Sequence, residues 1–251
     1  MKSELLEKIP DKEDRMFLAS LYDRLEQSDQ KNYPVYSDFL DARQMILVQQ
    51  TFPFWRERLQ FFGGIQNAER CICSLDFEYG EPPVRLLEVF ASDISKLAHG
   101  DILGSLMGLG LKRQKIGDIL TGDRAVFAVK EEVAEYICQE LTQISRYSVN
   151  VQMVDGFSVA REQQFSSRST TVSSLRLDCL VADIARLSRE KAKSYILSGK
   201  VKVNHFEESN YKRVLQQGDV LSLVRVGRFV IDSVDGVTKK DRMKITVKKY
   251  E

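Results

Sequence analysis

RLDCLVADIARLSREKAKSYILSGKVKVN, residues 176–204, followed by Gly218-Asp219-Val220, is the stretch whose reading decides the fold of the C-terminal third. Leu177, Leu180, Val181, Ile184 and Ala185 recur at the spacing of one helical stripe, which predicts a helix with a single buried face. Ser188 interrupts the stripe and is suited to cap a second helix over about 189–197, with Glu190 in its first turn where a carboxylate favours the positive helix end. Gly199 supplies the stop, since glycine enters the left-handed region at little cost. Lys200-Val201-Lys202-Val203-Asn204 then alternates with the period of a strand, valines inward and lysines outward. Asn204 leads into a turn, and Val220 to Val224 returns as a strand after Gly218-Asp219.

Charge is divided unevenly along the chain. Residues 176–251 hold 10 Lys and 7 Arg against 6 Asp and 4 Glu, a net +7, whereas residues 1–175 hold 20 basic against 26 acidic groups, a net −6. The near-neutral total therefore hides a basic end, which predicts a polyanionic partner there and a possible protein partner for the acidic N-terminal part. On the second helix Arg189 and Lys193 are four residues apart and share a face, a repulsion that a phosphate would relieve. The candidate phosphate-binding residues are thus Arg176, Arg189, Lys193, Lys200 and Lys202, with Ser188 holding the helix end and Asn204 the turn. Reversing the charge of Arg189 and Lys193 together is expected to abolish binding and leave unfolding nearly unchanged.

Outward from this module, 251 residues leave room for one or two further domains. Residues 1–65 read as a helical N-terminal domain: Phe17, Leu18, Leu21, Tyr22 and Leu25 at helical spacing, a second helical stretch through Phe39 and Leu47, and an aromatic cluster at Phe52, Phe54, Trp55, Phe61 and Phe62 that reads as core. From 66 to 165 strand and helix periods alternate. Strands are expected at Cys71–Phe77 and Val84–Phe90, joined as a hairpin bent at Gly80-Glu81-Pro82-Pro83, then a helix over 92–108, a strand at 125–129, a helix over 131–144 and a strand at 149–154. That succession predicts an α+β domain of split β-α-β, ferredoxin-like or RRM-like, character. No strand in it is rich in the aromatics that stack bases, and 11 basic against 15 acidic residues over 66–175 argue against a broad phosphate-binding surface.

Gly108-x-Gly110 precedes Lys112, Arg113 and Lys115, a possible secondary RNA contact; it follows a helix and lacks the ending of a phosphate loop, so no nucleotide site is predicted. Residues 166–174 carry seven Ser or Thr and read either as a joint or, through Thr170-Thr171-Val172, as an edge strand, and Met243 to Lys248 alternates as a final strand with a basic outer face. Two histidines and four scattered cysteines indicate no metal site, no catalytic triad and no disulfide framework, and no cofactor or small-molecule substrate is expected. The absence of an 18-residue apolar run, with an acidic start, predicts a cytoplasmic protein without a membrane partner.

The ordered series Arg-Leu-Asp, Ser-Arg-x-x-Ala, Gly-Lys-Val-x-Val-Asn and Gly-Asp-Val resembles the small RNA-binding module named after small-subunit ribosomal protein four, here the S-four (αL-like) domain, over 175–251. That family commonly carries glycine after Val-Asn, where this chain has His205, and a positive φ suits histidine less well. With His99-x-Asp101-x-Leu103-Gly104, Gly108-Leu109-Gly110-x-Lys112-Arg113 and Gly227-Arg228-Phe229, nearly the whole chain resembles the bacterial YlmH family. The resemblance implies an RNA-binding protein linked to cell-division genes, similar in its S-four portion to heat-shock proteins that bind stalled large ribosomal subunits. It therefore implies a non-catalytic, ribosome-associated quality-control factor with ribosomal RNA, tRNA and the large subunit as partners. Two other classes are a cell-division adaptor and an RNA-modifying enzyme of pseudouridine synthase type; for the latter, Asp41 or Asp101 would be the catalytic aspartate.

Overall fold

The computed structural model describes residues 2–31, 33–76, 81–154, 165–238 and 241–250. The chain divides into two units, Met1–Arg161 and Glu162–Glu251.

In the first unit the leading helices are α1 (Lys2–Glu7), α2 (Lys12–Lys31) and α3 (Ala42–Thr51). Leu18, Leu21, Tyr22 and Leu25 form the buried stripe of α2, and Tyr22 meets Trp55 and Phe52 at ring-centroid distances of 5.2 and 5.7 Å. Strands β1 (Leu59–Phe62) and β2 (Ile72–Leu75) form an antiparallel hairpin, which spans the domain boundary expected at residue 65.

The hairpin expected between 71–77 and 84–90 does not form. β2 pairs with β1, while β3 (Val84–Phe90) lies inside another sheet; Phe77 and Gly80 fall outside the described residues. Alternation identifies a strand and says nothing of its partner, and here β3 has one edge filled by a strand at 125–130 and the other by a strand at 150–154, leaving none for β2. α4 (His99–Gly108) starts later than expected, after a short 3₁₀ turn at Ile94–Lys96. β4 (Ile116–Leu120), unforeseen because Gly117 and Asp118 break its pattern, pairs with β5 (Ala125–Lys130). α5 (Glu131–Glu140) stops short of 144, giving way to a small hairpin of β6 (Gln143–Ile144) and β7 (Tyr147–Ser148), and β8 (Asn150–Val154) closes the unit.

The order β4-β5-β3-β8, antiparallel throughout, with α4 and α5 as the two crossovers, is the split β-α-β arrangement the periodicity predicts. One sheet face carries Leu87, Val89, Phe127 and Val129 against Ile102, Leu106, Ala134 and Ile137 of the two helices. The other, with Val84, Leu86, Val126 and Ala128, is closed by Phe39, Ile65 and Ile72 of the N-terminal region. Residues 37–40 run extended beside β2, Leu40 and Cys71 exchanging backbone bonds of 2.8 and 3.1 Å. A Cβ at Gly117 would lie 2.7 Å from the Phe39 ring, so only glycine admits that ring to the sheet.

The second unit is a six-stranded sheet of order β11-β10-β12-β13-β14-β9, one face of which carries two helices. Its elements are β9 (Phe165–Val172), α6 (Leu177–Ile184), α7 (Arg189–Leu197), β10 (Val201–Val203), β11 (Phe206–Glu207), β12 (Val220–Leu223), β13 (Gly227–Val237) and β14 (Met243–Tyr250). Leu177, Leu180, Val181, Ala192 and Ile196 pack on Val201, Val203, Leu221, Leu223, Ile231 and Ile245. The Ser/Thr-rich stretch is an edge strand, paired with β14 from Phe165↔Tyr250 to Val172↔Met243. No helix among the described residues is long and apolar enough to cross a membrane.

Candidate nucleic-acid interface

The first amides of α6 are satisfied by chain rather than by a side-chain cap: Leu177 N–H donates to Arg213 O at 2.8 Å and Asp178 N–H to Tyr211 O at 3.0 Å. This brings the 211–213 loop against the helix start. In the first turn the Asp178 side chain is completely buried, where an ionised carboxylate is costly without partners. Arg176 grips it with a two-pronged contact, Nε and Nη2 at 3.1 and 3.0 Å, and Arg189 adds Nε at 3.1 Å from the start of α7. Burial pushes the Asp178 carboxyl up; the hydrogen bonds of Arg176 and Arg189 outweigh that and hold it below the ordinary aspartate range.

Ser188 caps α7 as expected, accepting from Lys191 N–H at 3.3 Å, which fixes where Arg189 leaves the helix. One turn on, Lys193 pairs with Glu190 at 2.7 Å and lies 5.6 Å from the centre of the Tyr211 ring, with Lys212 5.9 Å from the same ring. Arg176, Arg189, Lys193, Tyr211 and Lys212 therefore form one group. Tyr211 and Lys212 escaped the sequence reading; the Tyr-Lys-Arg run at 211–213 was the available signal.

Lys200, Lys202 and Asn204 lie elsewhere. Lys200 covers the ring of Tyr195 at 5.7 Å, and the Tyr195 hydroxyl donates to Val224 O. Tyr195 is two residues beyond Lys193, about 200° round the helix, so Lys200 belongs to the opposite flank of α7. Lys202 is exposed on the sheet face away from the helices, since its neighbours Val201 and Val203 are buried. Asn204 and His205 both take positive φ, 49° and 72°, as a two-residue turn between β10 and β11 demands. The Asn204 amide ties that turn to the next, donating to Asp219 at 2.8 Å and accepting from Val220 N–H at 2.8 Å. The histidine substitution thus leaves the positive-φ turn in place.

Of the secondary candidates, Lys112 is exposed in the loop after α4, just before a short 3₁₀ turn at Arg113–Lys115. Arg113 turns inward, donating to the Ile116 and Gly117 carbonyls at 2.5 and 3.1 Å, and burial pushes its guanidinium down to about 10. Lys115 is paired with Asp38 and Glu132 at 2.5 and 2.7 Å. Both aspartates considered for catalysis hold helix starts: Asp41 accepts from Gln44 N–H at 2.8 Å, and Asp101 from Ala98 N–H at 3.0 Å. Burial raises the Cys71 and Cys73 thiols to about 12, far from reactive thiolates. Among the described residues no group of three His, Cys, Asp or Glu side chains could hold a metal.

The chain is 33% identical over 223 residues to the "Ribosome-associated protein quality control protein P2" of Bacillus subtilis (strain 168), a match spanning 86% of this chain and 87% of that protein. The chain belongs to the YlmH family. A family model described as "Putative RNA-binding domain in YlmH" matches residues 81–156, which in this YlmH chain run from just before β3 to just after β8. A solved structure titled "Cell division protein ylmH from Streptococcus pneumoniae" is similar at 21% identity and a TM-score of 0.49, covering 59% of this chain and 94% of that one. The segment that this model matches is the sheet whose second face Phe39 and its neighbours close.

Proposed function

We propose that this chain is a non-catalytic RNA-binding protein that grips structured RNA, ribosomal RNA and tRNA on the large ribosomal subunit, through residues 175–251, and serves ribosome-associated quality control in the cytoplasm. The observation that carries the reading is the convergence of Arg176 and Arg189 on buried Asp178, with Lys193 and Lys212 flanking Tyr211 beside them. Two guanidiniums braced by one carboxylate are held in place before any ligand arrives, and their remaining donors suit phosphate oxygens. Recognition by such a group is of backbone shape, since the deep major groove of an RNA helix excludes side chains. The +7 charge of residues 176–251 and the name of the Bacillus relative support the same reading.

The segment matched by the RNA-binding family model, 81–156, would make an RNA contact of its own through its outer surface at Lys112, because both faces of its sheet are packed. The test is binding of the purified chain to large ribosomal subunits across a salt series. Neutralising about five phosphates gives a log–log slope of about −3.5 to −4.5. A slope near zero, or equal affinity for subunits after Arg189→Gln/Lys193→Gln, overturns the proposal.

A further inference from the structure

The face of the C-terminal sheet turned away from α6 and α7 carries one cross-strand row contributed by five strands. Lys202 of β10 pairs with Ser222 of β12, and Ser222 with Arg228 of β13. Arg228 lies over the Tyr250 ring of β14 at 4.3 Å, and Tyr250 pairs with Phe165 of β9, ring centroids 4.9 Å apart. At strand spacings of about 4.8 Å the row runs about 19 Å. Phe165 is 38% exposed, and Lys248, in the next row, lies 5.9 Å from its centroid and 2.8 Å from Asp232.

We propose that this row is a binding track for a short unpaired RNA segment, with Tyr250, Phe165 and the Arg228 plane stacking bases and Lys202 and Lys248 holding phosphates. The occupant follows from the chemistry. Planar rings capped by cations on an open sheet suit bases joined by a polyanion, and such stacking tolerates any base. Three cations on the track against Asp232 and Glu207, the latter paired across from Lys202, leave a positive balance. The track starts at Lys202, which is why that lysine stands apart from the Arg176–Arg189 group.

The inference rests on the RNA-binding reading for its class of ligand. The experiment measures the affinity of the full chain for a blunt RNA hairpin and for the same hairpin with a short uridine tail. Wild-type protein should bind the tailed hairpin about tenfold or more tightly, and Phe165→Leu/Tyr250→Leu, which keeps apolar bulk but removes the rings, should lose that gain while binding the blunt hairpin as before. Arg189→Gln/Lys193→Gln should weaken both probes and keep the gain. No gain in wild type, or a gain untouched in the leucine variant, overturns the track. No gain combined with a dimer that the leucine variant converts to monomer in sedimentation also overturns it, and assigns the face to a second copy of this chain. A tail that binds alone, with the blunt hairpin unbound, supports the track and removes the duplex-gripping function proposed above.

Discussion

Arg189, at the start of one helix, reaches 3.1 Å to the carboxylate of Asp178, in the first turn of the preceding one, and so ties the helix pair together through a charge that never meets solvent. Arg176, the residue just before the aspartate's helix, completes the clamp. An acidic residue at the centre of the group proposed to grip phosphates is electrostatically unfavourable for binding, and its value lies in position.

Asp178→Asn should therefore lower RNA affinity even though it removes a negative charge. It should cost about 2 kcal/mol, below the roughly 3–5 kcal/mol of a fully buried pair because Arg176 and Arg189 both reach solvent. The folded-state carboxyl is depressed, so its contribution is present above the unfolded aspartate value of about 3.9 and disappears as pH falls through the lower folded value. Urea unfolding should show a constant gap between wild type and variant from pH 5 to 8 that narrows below about pH 4.

Arg189 has two duties, which alters the expectation for charge reversal. Arg189→Glu would place a second carboxylate against Asp178 and unsettle the helix pair, contrary to the near-unchanged unfolding expected from the sequence. Arg189→Gln/Lys193→Gln avoids that conflict; it should reduce the magnitude of the salt slope by about 2, one for each phosphate no longer neutralised, with a small shift in thermal midpoint. Filter binding across a salt series and calorimetry on the same samples read the two effects separately.

Residues 66–165 made alone should not fold cleanly. Without Phe39 and Ile65, which close it together with Ile72, the face formed by Val84, Leu86, Val126 and Ala128 loses most of its cover, and the fragment should bind a hydrophobic dye and unfold without a cooperative transition. In the full chain, Gly117→Ala pushes a methyl into the Phe39 ring and should cost about 1–3 kcal/mol by urea unfolding.

Asn204→Ala removes both side-chain hydrogen bonds that join the two turns and leaves alanine at positive φ. A loss of about 2 kcal/mol is expected. Amide exchange at Val220, whose N–H then lacks its acceptor, should accelerate well before that of Leu180 in α6.

Local patterns carried the sequence a long way in this protein. The α6–α7 pair, the Ser188 cap, the Gly199 stop, the valine strand and the split β-α-β succession all depend on residues within one or two turns or one strand length, so spacing alone reveals them. Arg189 and Lys193 were legible as cations on one helix face for the same reason. Partner choice was not local: β2 joined β1 instead of β3, β4 was hidden by a glycine that exists for Phe39, and Lys115 and Arg113 found carboxylates and carbonyls that spacing cannot announce. Tyr211 joined the Arg176–Arg189 group, and Lys202 met Tyr250 and Phe165 along one row, only because strands far apart in the chain lie side by side. Sequence determined which segments are helix or strand and where positive charge concentrates; tertiary structure decided which charges are spent on buried partners and which surfaces remain open, because long-range packing brings together groups that no sequence interval relates.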